Sequence, residues 1–256
     1  MKTIVIKCGG SVLDELSPAF FDALHSLKND GYMPVIVHGG GNAINAMLDL
    51  YNIDAKFHNG LRVTCEKTME VVEMVLSGKT NRQLVKLMAD SGLNAIGLNG
   101  SDGGCLVAAY INKEQLGFVG TVTMVNKDLI NKLLDSDLIP VITPIGTSED
   151  GYRLNINADY AAAAVARALG AERCLFVTNV EGILVEGELI EETSASEIQE
   201  YIADGHIYGG MIPKVESAIS VLNTGINQVM IVSGKNAFYQ NGEWAGTAIT
   251  NKERVK

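Results

Sequence analysis

The residues best suited to chemistry in this chain are two lysines beside glycine pairs, one near each end. Lys7-Cys8-Gly9-Gly10-Ser11 closes an apolar, β-branched run, and Gly209-Gly210-Met211-Ile212-Pro213-Lys214 opens a helical pattern. Glycines at a strand-to-helix turn let backbone N–H groups approach a phosphate closely, and a neighbouring lysine can neutralise charge on a transferring phosphoryl group. Taken alone, the first motif is explained equally well by a β-turn behind an edge lysine. Lys214 says more. A cation in the first turn of a helix opposes the macrodipole, and a bound anion would resolve the conflict, with a solvated lysine as the alternative.

Three further stretches carry polar groups at suggestive spacing. His38-Gly39-Gly40-Gly41-Asn42 presents three glycines entering a helix, either a set of anion-binding N–H donors or a tight loop for close packing. His38 itself reads as a hydrogen-bonded structural residue, not a general base. In Asn59-Gly60-Leu61-Arg62-Val63-Thr64 an arginine just before a helix can offer a planar fork to a carboxylate, although a surface arginine has the same appearance. Asn155-Ile156-Asn157-Ala158-Asp159 sets three short polar residues in period two ahead of an alanine-rich helix. Capping needs only one of them, which leaves the others free to bind substrate or hold lysines in place.

Two familiar signatures fail. Gly78-Lys79-Thr80 resembles the end of a Walker A loop, but Glu73 occupies the required glycine position and the segment follows a helix. The glycine run at 39–41 lacks the third glycine of a dinucleotide fingerprint, since Ile44 stands there.

The elements that must position these groups alternate between strand and helix. Continuous apolar runs at 3–8, 33–38, 93–98, 139–143, 174–178 and 229–232 read as strands of a mainly parallel sheet covered on both faces, with 229–232 the last clear buried strand. Between them lie helical patterns: one capped by Ser17-Pro18 and stopped at Gly31, then 42–50, 127–135, 158–169, 196–203 with a Ser194/Glu197 capping box, and 211–223. Residues 64–90 read as two helices meeting near Ser77-Gly78, residues 105–125 as a surface hairpin, and 146–155 as a turn and short strand. The fold class is α/β throughout.

Composition narrows the function. At 256 residues the chain is one large domain or two closely joined lobes, and 47% hydrophobic residues is ordinary for a globular protein. A net charge of −10 argues against a nucleic-acid binder, and no apolar run approaches the roughly 20 residues of a membrane span. The N-terminus reads directly as a strand without a signal-peptide pattern, so the expected location is cytoplasmic. Cys8, Cys65, Cys105 and Cys174 are scattered, which suggests reduced thiols and neither a metal site nor a disulfide framework.

In order along the chain, Lys7-x-Gly9-Gly10, His38-Gly-Gly-Gly, Asn59-Gly-Leu-Arg62, Asn155-x-Asn157-Ala-Asp159 and Gly209-Gly-Met-x-x-Lys214 closely resemble the N-acetylglutamate kinases, a branch of the amino acid kinase superfamily. The resemblance implies a three-layer sandwich around a central, mainly parallel eight-stranded sheet. One amino acid kinase domain would span 1–256, with an acyl-amino-acid lobe over 1–153 and an ATP lobe over 154–256. The implied reaction moves the γ-phosphoryl of MgATP to the side-chain carboxylate of N-acetyl-L-glutamate, in arginine biosynthesis. By position, Lys7 and Lys214 match the two transition-state lysines and Asp159 the carboxylate that orients both. Gly40, Gly41, Arg62 and Asn155 match substrate positions, with Arg62 on the α-carboxylate. Gly9, Gly10 and Ser11, the run Thr178, Asn179, Val180, Glu181, Gly182 and Ile183, and His206, Ile207 and Tyr208 match the nucleotide surroundings; no metal-ligating residue is implied.

Two departures stand out. Asn179 occupies a position that is usually Asp in the family, and Gly97-Leu98-Asn99-Gly100 lacks the usual serine. The arginine-inhibited hexamers of the family carry a helix ahead of the first strand, whereas here only Met1 and Lys2 precede it, so the resemblance implies an arginine-insensitive homodimer. The rivals are a kinase for a longer acyl amino acid, such as an aminoadipate derivative, and a non-catalytic ligand-binding relative of the fold.

Overall fold

A computed structural model describes residues 2–251. Its spine is an eight-stranded sheet: β1 (Lys2–Cys8), β2 (Tyr32–His38), β3 (Ala95–Asn99), β4 (Ile139–Thr143), β5 (Arg173–Thr178), β6 (Glu192–Ser194), β7 (Gln228–Ser233) and β8 (Thr247–Thr250). The spatial order is β6-β8-β7-β5-β1-β2-β4-β3. The six strands from β7 to β3 run parallel, while β8 pairs antiparallel to β7 and parallel to β6.

Side chains alternate across each strand, so both faces must be covered, and two cores result. Val5, Val37, Ile142, Phe176 and Ile231 pack on one side against the helices Ala158–Leu169 and Ile212–Leu222. Ile6, Ile36, Val141, Leu175 and Val232 pack on the other against Pro18–Asn29 and Asn81–Asp90. This is why the strands read as unbroken apolar runs.

Several sequence expectations need correction. The thin signal at 247–250 conceals a strand, so β7 is not the last. Ser17 does sit at the helix N-cap, but its hydroxyl donates to the Lys235 carbonyl and makes no capping bond. The two helices expected over 64–90 form one continuous helical run, Glu66–Glu73, Met74–Thr80 and Asn81–Asp90, with a widened π turn across Ser77-Gly78. Such bulges recur at functional sites, and here Leu76 and Thr80 press on Gly40.

The hairpin Leu106–Tyr110/Val119–Val125 is also not confined to the surface. It joins Ile145–Thr147 and Arg153–Ile156 in a small closed four-stranded unit, and Leu106, Ala108, Leu154 and Ile156 enter the main core. The Ser194/Glu197 capping box and the left-handed Gly170 C-cap form as expected. Among the described residues no helix is long and apolar enough to cross a membrane.

Candidate active site

β1 lies between β2 and β5, where the strand order departs in both directions, and ligands of open parallel sheets bind beyond the carboxyl ends of strands at such a point. Both glycine loops leave from that edge. Gly39 N–H donates to Cys8 O at 2.8 Å, and a Cβ on Gly10 would sit 2.6 Å from Gly40 Cα. Backbone therefore packs on backbone here, and no side chain fits between the loops. A Cβ on Gly40 would meet Leu76 Cδ2 at 2.5 Å. Gly41 has open space around it and begins the helix Gly41–Leu50.

On one side of this seam is a cavity of about 200 Å³ lined by Gly40, Gly41, Arg62, Asn155 and Asn157, with Ile44, Phe57, Leu76 and Val119 as apolar wall. Arg62 comes from a two-stranded ribbon, Phe57–His58 and Leu61–Arg62, and the helix expected directly after it begins only at Glu66. Asn59 and Gly60, at φ 48° and 76°, supply the left-handed pair that a two-residue hairpin turn requires. The guanidinium stacks 4.7 Å from the Phe57 ring centroid and donates from Nη2 to Asn45 Oδ1 at 2.6 Å and Gly41 O at 3.3 Å.

Arg62 is 8% exposed, its Nη1 is buried without a hydrogen-bond partner, and no carboxylate among the described residues pairs with it. Desolvation by burial lowers its pKa. A cavity ending in an uncompensated guanidinium is suited to an anion. Asn155 Nδ2 donates to Thr64 Oγ1 at 3.1 Å, and Thr64 Oγ1 in turn donates to Arg62 O, tying the ribbon to the Arg153–Ile156 strand.

On the other side a cavity of about 180 Å³ holds Lys7, Gly9, Ser11, Asp159, Thr178, Asn179, Lys214 and Ser217. Asn157 is the residue of its triplet that caps the alanine-rich helix, accepting from Asp159 N at 2.8 Å, which leaves the Asp159 carboxylate free. That carboxylate pairs with Lys7 Nζ at 2.8 Å through Oδ1, and its Oδ2 accepts from Ser217 Oγ. Lys7 also lies 5.6 Å from the Phe176 ring centroid. Lys214 donates to Asn179 Oδ1 at 2.8 Å. In this geometry Asp159 meets Lys7 through Oδ1 and Ser217 through Oδ2, and Lys214 has an amide partner in Asn179. Burial lowers the Lys214 pKa, and the nearby Lys7 charge lowers it further.

A third hollow, about 220 Å³, gathers Val180, Gly182, Leu184, His206, Ile207, Tyr208 and Met211. Glu181 and Ile183 do not line it. Glu181 accepts from Asn236 Nδ2 at 2.8 Å, and Ile183 is buried, its N–H donating to Thr247 Oγ1. The sequence reading missed Asn45, Phe57, Thr64 and Ser217. Ser217 lies one turn after Lys214 and carried a weak signal; the others depend on contacts between distant segments.

His38 is fully buried as expected of a structural histidine. Its Nδ1 faces Gly39 O at 3.0 Å, and Asn81 Nδ2 donates to Nε2 at 3.1 Å. Desolvation lowers its pKa to about 4.

Against known proteins, the model of the amino acid kinase family matches residues 2–233. This chain belongs to the amino acid kinase family. Among its relatives, the acetylglutamate kinase of Geobacillus kaustophilus is 53% identical over 99% of this chain and 98% of its own length. That of Bacillus subtilis is 46% identical over 99% of each. Of solved structures, smu.665 from Streptococcus mutans superposes with a TM-score of 0.84 at 37% identity, covering 98% of this chain and 99% of that one. Carbamate kinase from Giardia lamblia bound to AMP-PNP, at 18% identity and TM-score 0.66 over 98% of this chain and 99% of that one, shares the fold. The amino acid kinase fold therefore accounts for the sheet and its strand order.

Proposed function

We propose that this kinase phosphorylates N-acetyl-L-glutamate on its side-chain carboxylate, with ATP as donor and Mg²⁺ accompanying the triphosphate, in arginine biosynthesis. One observation carries the reading: a cavity ending in a buried guanidinium that lacks a counter-ion and a cavity holding two lysines lie on either side of the Gly10–Gly40 contact. An acyl amino acid anchored by its α-carboxylate on Arg62, and by Gly40, Gly41 and Asn155, would extend its side chain towards that seam.

A carboxylate oxygen of the acceptor attacks Pγ and a new O–P bond forms. The bond from Pγ to the oxygen bridging the β-phosphate breaks, and its electron pair leaves with ADP. The nucleophile is already ionised at neutral pH, so no general base is required. What the protein must supply is alignment of two anions that repel, and Lys7, Lys214 and the Gly9-Gly10 N–H groups are suited to it. Bound Mg²⁺ would neutralise phosphate charge. In the same proposal Thr178, Asn179, Val180, Gly182, His206, Ile207 and Tyr208 surround the nucleotide, Glu181 and Ile183 support that wall from behind, and Ser11 lies by the phosphates. The acyl half then draws mainly on 1–153 and the ATP half on 154–256. The same proposal makes the enzyme cytoplasmic and, by the family resemblance, a homodimer.

A hydroxamate assay with N-acetylglutamate, glutamate and the one-methylene-longer acyl analogue tests the assignment. N-acetylglutamate should be preferred over the longer analogue by roughly 10- to 200-fold, the worth of one methylene in a fitted pocket. Lys7→Met and Lys214→Met should each lower kcat by roughly 10²–10³. Equal turnover of glutamate excludes the acceptor, and unchanged kcat in both variants excludes the mechanism.

A further inference from the structure

We propose that Asn179 is the positioning residue of Lys214 and that, because its contact is uncharged, it leaves the phosphoryl site with one uncompensated positive charge. The proposal rests on the phosphotransferase reading above and adds to it a division of labour between the two lysines.

The charged side chains lining the cavity are Lys7 from β1, Asp159 from the helix Ala158–Leu169, and Lys214 from the helix Ile212–Leu222. Asp159 has an ion-pair contact with Lys7 on Oδ1, which makes no hydrogen bond among the described residues, and accepts from Ser217 on Oδ2. Ser217 lies three residues beyond Lys214, on the same helix, so that helix both delivers the second lysine and binds the carboxylate that could have claimed it. Lys214 instead reaches Asn179 Oδ1, immediately beyond the end of β5. Of the nearby acids, Glu181 is held by Asn236, and Glu216 is an exposed neighbour on the lysine's own helix.

Lys7 and Asp159 thus form a neutral pair, while Lys214 keeps its charge available. A carboxylate at position 179 would hold the same ammonium in place but cancel that charge. Burial and the Lys7 charge already lower the Lys214 pKa, and the amide oxygen offsets this only through one hydrogen bond. Residue 179 therefore separates two properties, where Lys214 sits and how strongly its proton is held.

Asn179→Ala and Asn179→Asp, compared with the unaltered enzyme, separate these properties. In Asn179→Ala the ammonium loses its tether. Melting temperature and KM for the acceptor should stay constant while kcat falls by roughly 10- to 100-fold, the upper end being the cost of a misplacement of about 1 Å at the reacting centre. In Asn179→Asp kcat should recover relative to the alanine variant. Nucleotide binding should weaken, and the alkaline limb of the kcat profile should move to higher pH than in the unaltered enzyme. Titration of the Lys214 ¹³Cε resonance, assigned by its loss in Lys214→Arg, should rank the pKa values Ala below Asn below Asp without any turnover. An alanine variant with unchanged kcat, or an aspartate variant whose alkaline limb and Lys214 titration stay in place, overturns the proposal. Absence of phosphoryl transfer to every acceptor would instead refute the kinase reading, and the resonance titration would still decide the tether.

Discussion

Replacing Arg62 by Met provides a demanding test of the acceptor site. The side chain is buried, stacked on Phe57, and carries an Nη1 without a partner. An acceptor α-carboxylate would gain at least one charge-assisted hydrogen bond there, worth about 1.5–3 kcal/mol. Losing it should weaken N-acetylglutamate binding by roughly 10- to 150-fold, since each 1.4 kcal/mol is tenfold.

Stability should move differently. Met has similar bulk and can stay against Phe57, and the variant no longer buries a guanidinium lacking a counter-ion. The melting temperature should therefore be maintained or rise. Titration calorimetry with N-acetylglutamate and with its α-carboxamide provides the control. The unaltered protein should discriminate between them by the same factor, and Arg62→Met should bind both equally weakly. Retained discrimination in the variant, or a fall in melting temperature with Kd unchanged, would refute the assignment of Arg62 to the α-carboxylate.

Three further outcomes are expected. Gly10→Ala places a Cβ 2.6 Å from Gly40 Cα, and backbone cannot rotate aside as a side chain can; phosphoryl transfer should be abolished, with about 1–3 kcal/mol lost in urea unfolding. His38 is held neutral with its pKa lowered to about 4, below the 6.5 of an exposed histidine, so the unfolded chain binds the extra proton first. Its share of stability, on the order of 3 kcal/mol, should be complete above pH 6.5 and be lost as pH falls towards 4; His38→Gln should flatten that part of the stability–pH curve. Cys65 is exposed, and hydrogen bonds from Thr68 lower its thiol pKa, whereas burial raises Cys8, Cys105 and Cys174 to about 12. Brief alkylation at neutral pH followed by mass spectrometry should therefore label Cys65 alone.

What the sequence determined by itself was local or periodic. Runs such as Ile139–Ile142 and Val35–Val37 are apolar at every position because both faces of a parallel strand are buried, and that pattern identifies a covered sheet without any coordinates. The Ser194/Glu197 box, the Gly170 stop and the capping duty within Asn155-Ile156-Asn157-Ala158-Asp159 are likewise encoded within a few residues. The candidate site was legible because lysines beside glycines and a surplus of polar groups before a helix are unusual demands on local structure.

Tertiary structure decided the rest, because hydrogen-bond partners are chosen by distance in space. Asp159 could have served either lysine. The Ile212–Leu222 helix brings Ser217 to one oxygen and Lys7 reaches the other, which leaves Lys214 to Asn179. The Met74–Thr80 bulge, invisible in a helical pattern, presses Leu76 and Thr80 on Gly40, while Gly10 packs on the other side of that glycine. Arg62 looked like any surface arginine until the Asn59-Gly60 turn folded it under Phe57 and left Nη1 unpaired. Each of these outcomes depends on segments far apart in the chain meeting at one edge of the sheet, and no local pattern records such a meeting.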